Sequence, residues 1–233
     1  MTSLLQESDG DPRPNRSQAS HAYEKIRLDI LAGRSAPGER LKILDLAQAL
    51  AVSPGAVREA LSRLVPEGLA VAQDQKGFVV APLSIEDLMD LTEIRCDIEA
   101  AALRRAVLRG DDKWEAGILA SAHRLSKSQK AADAGLPAPD WVERHEEFHA
   151  SFVAGCGSRR LQALHAQLHE QSERYRRLST RLDAGRDVPG EHQALVDAAL
   201  DRDADGLVEL MTRHIRTTTD LIINGARGPT EVG

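Results

Sequence analysis

"PGERLKILDLAQALAVSPGAVREALSRLVPEGL", residues 37–69, carries two short apolar runs at helical spacing, Ile43–Leu50 and Ala56–Leu64. Pro37-Gly38 stops whatever precedes them, and Pro66 and Gly68 end the second. The linker "AVSPG" is short enough to set the two helices at a steep angle. On the second helix Val57, Ala60, Leu61 and Leu64 share one face, and Arg58, Ser62 and Arg63 the other. Upstream, Tyr23, Ile26, Ile30 and Leu31 mark a helix from Ala22 to Ala32. Downstream, "LAVAQDQKGFVVAPL" reads as a β-hairpin about the polar stretch Asp74-Gln75-Lys76-Gly77. Three helices and a hairpin make a winged helix-turn-helix, whose third helix is shaped to enter a DNA major groove. Arg58, near its start, can reach guanine N7 and O6 or a phosphate. At the hairpin tip Lys76 can meet phosphate, and Gly77 admits close backbone approach.

Charge places any DNA contact in this same part. The chain has 233 residues and a net charge of −6. Residues 21–83 hold eight Lys/Arg against seven Asp/Glu, whereas residues 84–233 hold 20 against 26. Aromatics are 3% while Ala, Leu and Arg abound, which favours helices over sheets. No apolar run approaches the roughly 18 residues of a membrane span, so no membrane partner is expected. The N-terminal stretch lacks the basic and apolar regions of a signal peptide. Cys96 and Cys156 are the only cysteines; two lone thiols fit a reducing cytoplasm.

The organisation expected is a polar tail over 1–20, the winged helix-turn-helix over 21–83, an all-α domain over 84–227 and a short tail over 228–233. Ser84, with Asp87 three residues on, is an N-cap. Six helices follow, roughly over 85–109, 112–132, 139–155, 158–183, 188–201 and 204–224. The fold class is therefore mostly α: a winged helix-turn-helix followed by a six-helix bundle.

Within that bundle, "HEEFH" at 145–149 matches the H-E-x-x-H helix of zinc peptidases. The wheel places His145 amid Trp141, Val142, Phe148, Phe152 and Val153, with His149 one turn on. His192 falls with Leu195, Val196 and Ala199, and His214 with Leu207, Leu210, Met211 and Leu221. A lone inward histidine is ordinarily a hydrogen-bonded core residue. Four from three helices point instead to a shared metal, because imidazoles among aliphatics are costly without partners. An all-nitrogen set favours Zn²⁺ or Ni²⁺ over Mn²⁺. A second pair, His165 and His169, sits about 100° off the stripe of Leu161, Leu164, Leu168, Tyr175, Leu178 and Leu182, which predicts a surface or pocket-rim position. Peptidase chemistry is set aside: Glu146, the would-be base, is turned from the apolar face, and the longer zincin motif would need Gly at Phe152 and His at Gly155.

"YEKIRLDILAGRSAPGERLKILDLAQALAVSPGAVREALSRLVPEGLAVAQDQKGFVVAPLS" resembles the GntR superfamily of bacterial transcription regulators, and residues 84–225 resemble its helical effector domain, FCD. The six-helix count resembles the VanR-like branch. The resemblance implies DNA contacts at Lys42, Arg58 and Gly77 and a homodimer on a palindromic double-stranded operator. It also implies a metal site in which His149, His192 and His214 match three family histidines. Two departures stand out: His145 occupies the family's Asp or Asn position, and Pro54-Gly55-Ala56 replaces a common Arg-Thr-Pro. The resemblance further implies a small carboxylate effector. Arg95, on the side of Leu88, Leu91 and Ala102, is its candidate anchor, the alternative being a pair with Glu99. A metal-sensing repressor, and a winged helix used only for protein contacts, remain alternative readings.

Overall fold

Ser17 opens the first helix of the computed structural model, which describes residues 17–130, 140–178 and 186–226. The Ser17 side chain accepts from Ser20 N at 3.1 Å and caps α1, Gln18–Leu31. The helix thus begins four residues before Ala22, because a polar cap and not the first apolar position sets its start. β1, Arg40–Leu41, is too short to leave an alternating pattern in the sequence. α2 spans Ile43–Leu50 and ends at Ala51 in the left-handed region, φ 53°. α3, Pro54–Leu64, starts at Pro54 because Ser53 caps it, its hydroxyl accepting from Ala56 N at 3.2 Å. β2, Ala70–Gln73, and β3, Gly77–Val80, pair antiparallel with Gln73 opposite Gly77, and β3 also pairs with β1, giving the order β1-β3-β2. Gln75 and Gly77 take positive φ, 59° and 85°, so the wing turns tightly with Lys76 exposed at its tip. Ile26, Ile30, Leu41, Val57, Leu61, Leu64, Leu69 and Val80 fill the core of this unit.

The chain divides into two compact units between Ala81 and Pro82. The second is helical throughout its described residues: α4 Ile85–Arg109, α5 Asp112–Lys130, α6 Trp141–Ala154, α7 Arg159–Leu178, α8 Val188–Leu200 and α9 Ala204–Ala226. α4 is capped by Ser84, whose hydroxyl accepts from Asp87 N at 3.0 Å. Gly110 makes the α4–α5 corner compact, since a Cβ there would stand 2.2 Å from Trp114. Phe148, Phe152, Leu103, Ile118, Leu195, Leu207 and Met211 are fully buried at the centre. The tail read over 1–20 lies outside the described residues as far as residue 16, as do the expected helix ends at 131–132, 139 and 179–183 and the tail at 228–233.

The capped start of α3 gives one prediction. Ser53→Ala removes the acceptor for Ala56 N and should cost about 1 kcal/mol of stability in urea unfolding, with the slope against denaturant unchanged.

Candidate metal centre and nucleic-acid interface

α6, α8 and α9 each turn histidines inward. His145, His149, His192 and His214 are all buried, and one ligand nitrogen from each lies within 4.8 Å of the others. His145 and His149, one turn apart on α6, bring their Nε2 atoms to 3.1 Å. Both ring nitrogens of His192, and Nδ1 of His145 and His149, have no hydrogen-bond partner. Burial pushes all four imidazoles below their usual range, His145 to about 4 and His192 to about 2. They are therefore neutral, with lone pairs converging on one point, which is the donor set and protonation state a divalent metal needs. His214 is the one with a strong outer partner: its Nδ1 lies 2.7 Å from Glu191 Oε2. Glu191 itself sits at about 2; burial raises its carboxyl, and hydrogen bonds from His214 and Arg186 outweigh that. Glu146 is exposed, whereas the histidines on either side of it are buried.

A cavity of about 70 Å³ opens against this cluster. His145, His149 and His214 form one wall, Leu88, Trp141 and Ile222 supply apolar surface, and Arg95, Arg176 and Arg186 bring guanidinium groups. Arg95 is 9% exposed, its Nε ion-paired with Glu99 Oε1 at 3.7 Å without a hydrogen bond, so it both faces the cavity and approaches the carboxylate one turn on. Arg176 grips Glu173 at 2.6 and 2.7 Å and lies 4.3 Å over the Trp141 ring, whose other neighbour is the stacked His145 at 4.4 Å. Burial would raise the Glu173 carboxyl, but His145 and Arg176 hold it well below the usual carboxylate range.

The surface or pocket-rim placement read for His165 and His169 is overturned: they are 3% and 2% exposed. α7 is packed by α4, α6 and α9, and it buries His165, His169, Glu173, Arg174 and Tyr175, while Leu164 is 43% exposed and Leu161 and Leu168 are half-buried. Hydrophobicity alone traced a stripe that is only partly inside, with Tyr175 buried and Leu161 and Leu168 packed against the core, because this helix also turns a polar face toward the site. Leu182 of that stripe lies outside the described residues. His165 Nδ1 approaches Glu99 at 3.0 Å, and His169 joins His145 and Glu173 in a second cluster of potential ligand atoms within 4.8 Å. Glu173, Glu191, Arg176 and Arg186 were also missed. The i, i+4, i+8 spacing of His165, His169 and Glu173 was the one signal available, and an all-polar helix face ordinarily reads as solvent-facing.

In the first unit Arg58 is exposed on α3 and Lys42 is exposed at the start of α2, 3.5 Å from Asp45. Arg63 is exposed and also stacks over the Tyr23 ring at 4.1 Å. Lys76 and Gly77 stand at the wing. Pro54 and Gly55 leave the first turn of α3 without a side-chain donor.

A winged helix-turn-helix with a basic recognition helix, followed by a helical domain built around a cavity, defines a DNA-binding transcription regulator. Residues 18–80 match the bacterial regulatory proteins of the gntR family and residues 90–217 match the FCD domain, so the chain belongs to the GntR family and carries an FCD domain. It is 40% identical over 210 residues to the HTH-type transcriptional regulator BphR of Paraburkholderia xenovorans, covering 89% of this chain and 86% of that one. It is 36% identical over 211 residues to the HTH-type transcriptional repressor GlaR of Escherichia coli, covering 88% and 96%. The solved structure of E. coli McbR/YncC shares the fold with a TM-score of 0.71 at 18% identity, over 91% of this chain and 99% of that one. The chain is a regulator and not an enzyme, and no described helix is long and apolar enough to cross a membrane.

The buried imidazoles set a pH dependence for the metal-free protein. In the unfolded chain histidines titrate near 6.5, while folding holds His145 at about 4 and His192 at about 2. Below pH 6.5 the unfolded state therefore binds more protons, and stability falls as pH falls. With chelator present, the melting temperature should drop steadily from pH 7 to pH 5, above the range where Glu173 and Glu191 titrate. His145→Asn should flatten that slope.

Proposed function

We propose that this regulator is a repressor that binds a palindromic operator as a homodimer, holds one divalent ion in its helical domain and responds to a small carboxylate. The observation that carries the reading is the convergence of four buried, neutral imidazoles, with ligand atoms all within 4.8 Å. His149, His192 and His214 would hold the ion, with His145 as fourth ligand. An all-nitrogen set suits Zn²⁺ or Ni²⁺. When bound, the ion supplies a Lewis acid to which an anionic oxygen can coordinate. The protein's own part is to keep the imidazoles deprotonated by burial and to shield the cavity from bulk water.

Arg95 supports the carboxylate. A buried guanidinium whose Nε makes no hydrogen bond, beside the cavity, offers the donors that a planar anion accepts. On the scale where one water needs roughly 10–15 Å³, a cavity of about 70 Å³ suits a small acid and excludes a nucleotide. The name of the E. coli relative, a repressor, supports repression. Six helices among the described residues of the second unit support the VanR-like branch. One winged helix offers few contacts, which favours a dimer on two half-sites. In the first unit Lys42, Arg58, Arg63, Lys76 and Gly77 would face DNA, with Arg58 the base reader. Effector binding would act by shifting the population of DNA-competent dimers.

Three measurements test this. Arg58→Ala should weaken binding to the chain's own promoter DNA by about 1–3 kcal/mol in a gel shift, and unchanged affinity removes Arg58 from the interface. Elemental analysis should find one ion per chain, lost with a lower melting temperature in His214→Ala. A carboxylate hit from a thermal-shift screen should bind the metal-loaded protein more tightly than the chelated one in calorimetry, and Arg95→Ala should weaken it without releasing metal. Equal affinity for the loaded and chelated forms leaves the ion a structural role.

A further inference from the structure

Arg186 lines the cavity just before α8, yet its donors are spent on neighbours of one metal-site histidine. Its Nε and Nη2 grip the two Glu191 oxygens at 2.7 and 2.6 Å. Nη2 also donates to the His214 carbonyl at 3.0 Å, and Nη1 to Thr218 Oγ1 at 2.9 Å. One side chain so ties the start of α8 to one turn of α9. Glu191 in turn lies 2.7 Å from His214 Nδ1. An ionised carboxylate only accepts, so it fixes the proton on Nδ1 and leaves the Nε2 lone pair bare.

Arg186 Nη2 also stands 3.3 Å from that same Nδ1. A guanidinium only donates, so with Glu191 in place this contact carries no hydrogen bond. Without Glu191 it would favour the opposite tautomer, with the proton on Nε2 and no lone pair for a metal. Glu191 is about a third exposed and has solvent as an alternative; Arg186, 10% exposed, is what holds it inward.

We propose that Arg186 is a positioning residue: through Glu191 it sets the tautomer of His214, and with it the nitrogen that the site offers to a metal. This rests on the metal reading above. The second arginine–glutamate–histidine set, Arg176–Glu173–His145, is built alike but looser, with 3.7 Å between Glu173 Oε1 and His145 Nδ1.

The consequence is a change of sign. In the wild-type background Arg186→Ala should weaken Zn²⁺ binding roughly tenfold, the scale of an outer-partner loss, and Arg186→Lys should recover part of it. In a Glu191→Ala background the same Arg186→Ala change should strengthen Zn²⁺ binding, because it removes the competing donor and an unpaired positive charge. Zn²⁺ affinity is read by competition with a chromophoric chelator, using zinc alone as probe. In metal-free protein, ¹⁵N chemical shifts of the His214 ring should show Nδ1–H in the wild type and loss of that preference in Arg186→Ala. Weakening by Arg186→Ala in both backgrounds, or an unchanged tautomer, overturns the proposal. Absence of Zn²⁺ binding by wild-type protein refutes the metal reading instead, and leaves the ring shifts to decide the tautomer.

Discussion

Four imidazoles buried against Phe148, Leu195, Val196 and Met211 are the constraint around which the second domain is organised. An unpaired polar nitrogen in an apolar core costs on the order of 1–3 kcal/mol, and several stand here within one small volume. A protein that needed only a stable bundle would place aliphatic side chains at those positions. Their convergence, with ligand atoms within 4.8 Å of one another, is what the proposed metal reading rests on. The same burial that makes the imidazoles costly keeps them neutral and available.

Around this cluster charge is balanced residue by residue. Arg176 is answered by Glu173, Arg186 by Glu191, and Arg95, less closely, by Glu99. Guanidinium groups would otherwise repel a cation beside the histidines, and carboxylates alone would repel an anionic ligand. Pairing them produces a wall that is polar and nearly neutral. Arg95–Glu99 is the loosest of the three pairs, with no hydrogen bond at Arg95 Nε, which is why the anion-binding reading rests on it.

In the winged domain the economy is different. Apolar side chains from α1, α3 and the sheet form an ordinary core, while Lys42, Arg58 and Lys76 stay exposed. The first turn of α3 carries Pro54 and Gly55, which help start the helix but present no donor. Arg63, stacked on Tyr23, is partly committed to the protein. Arg58 is the other arginine of α3 and stands exposed, and the proposed reading of DNA sequence by this helix rests on it.

Local spacing determined much on its own. The run from Pro37 to Leu69 spelled out helix, turn and helix, because capping, apolar period and breakers agree there. His145, His149, His192 and His214 were legible for the same reason: each lies on the apolar side of its own helix, and one wheel suffices to see it. α7 defeated that logic. Leu161, Leu164 and Leu168 are half-buried or exposed, while His165, His169 and Glu173 face inward beside Tyr175, since neighbouring helices decide which face is covered and here they cover a largely polar one. Glu191 and Arg186 left no periodic trace either: one sits beside His192 and the other precedes the helix. Only tertiary structure brings both to His214, because a hydrogen bond between α8 and α9 depends on how two helices pack and not on the spacing within either.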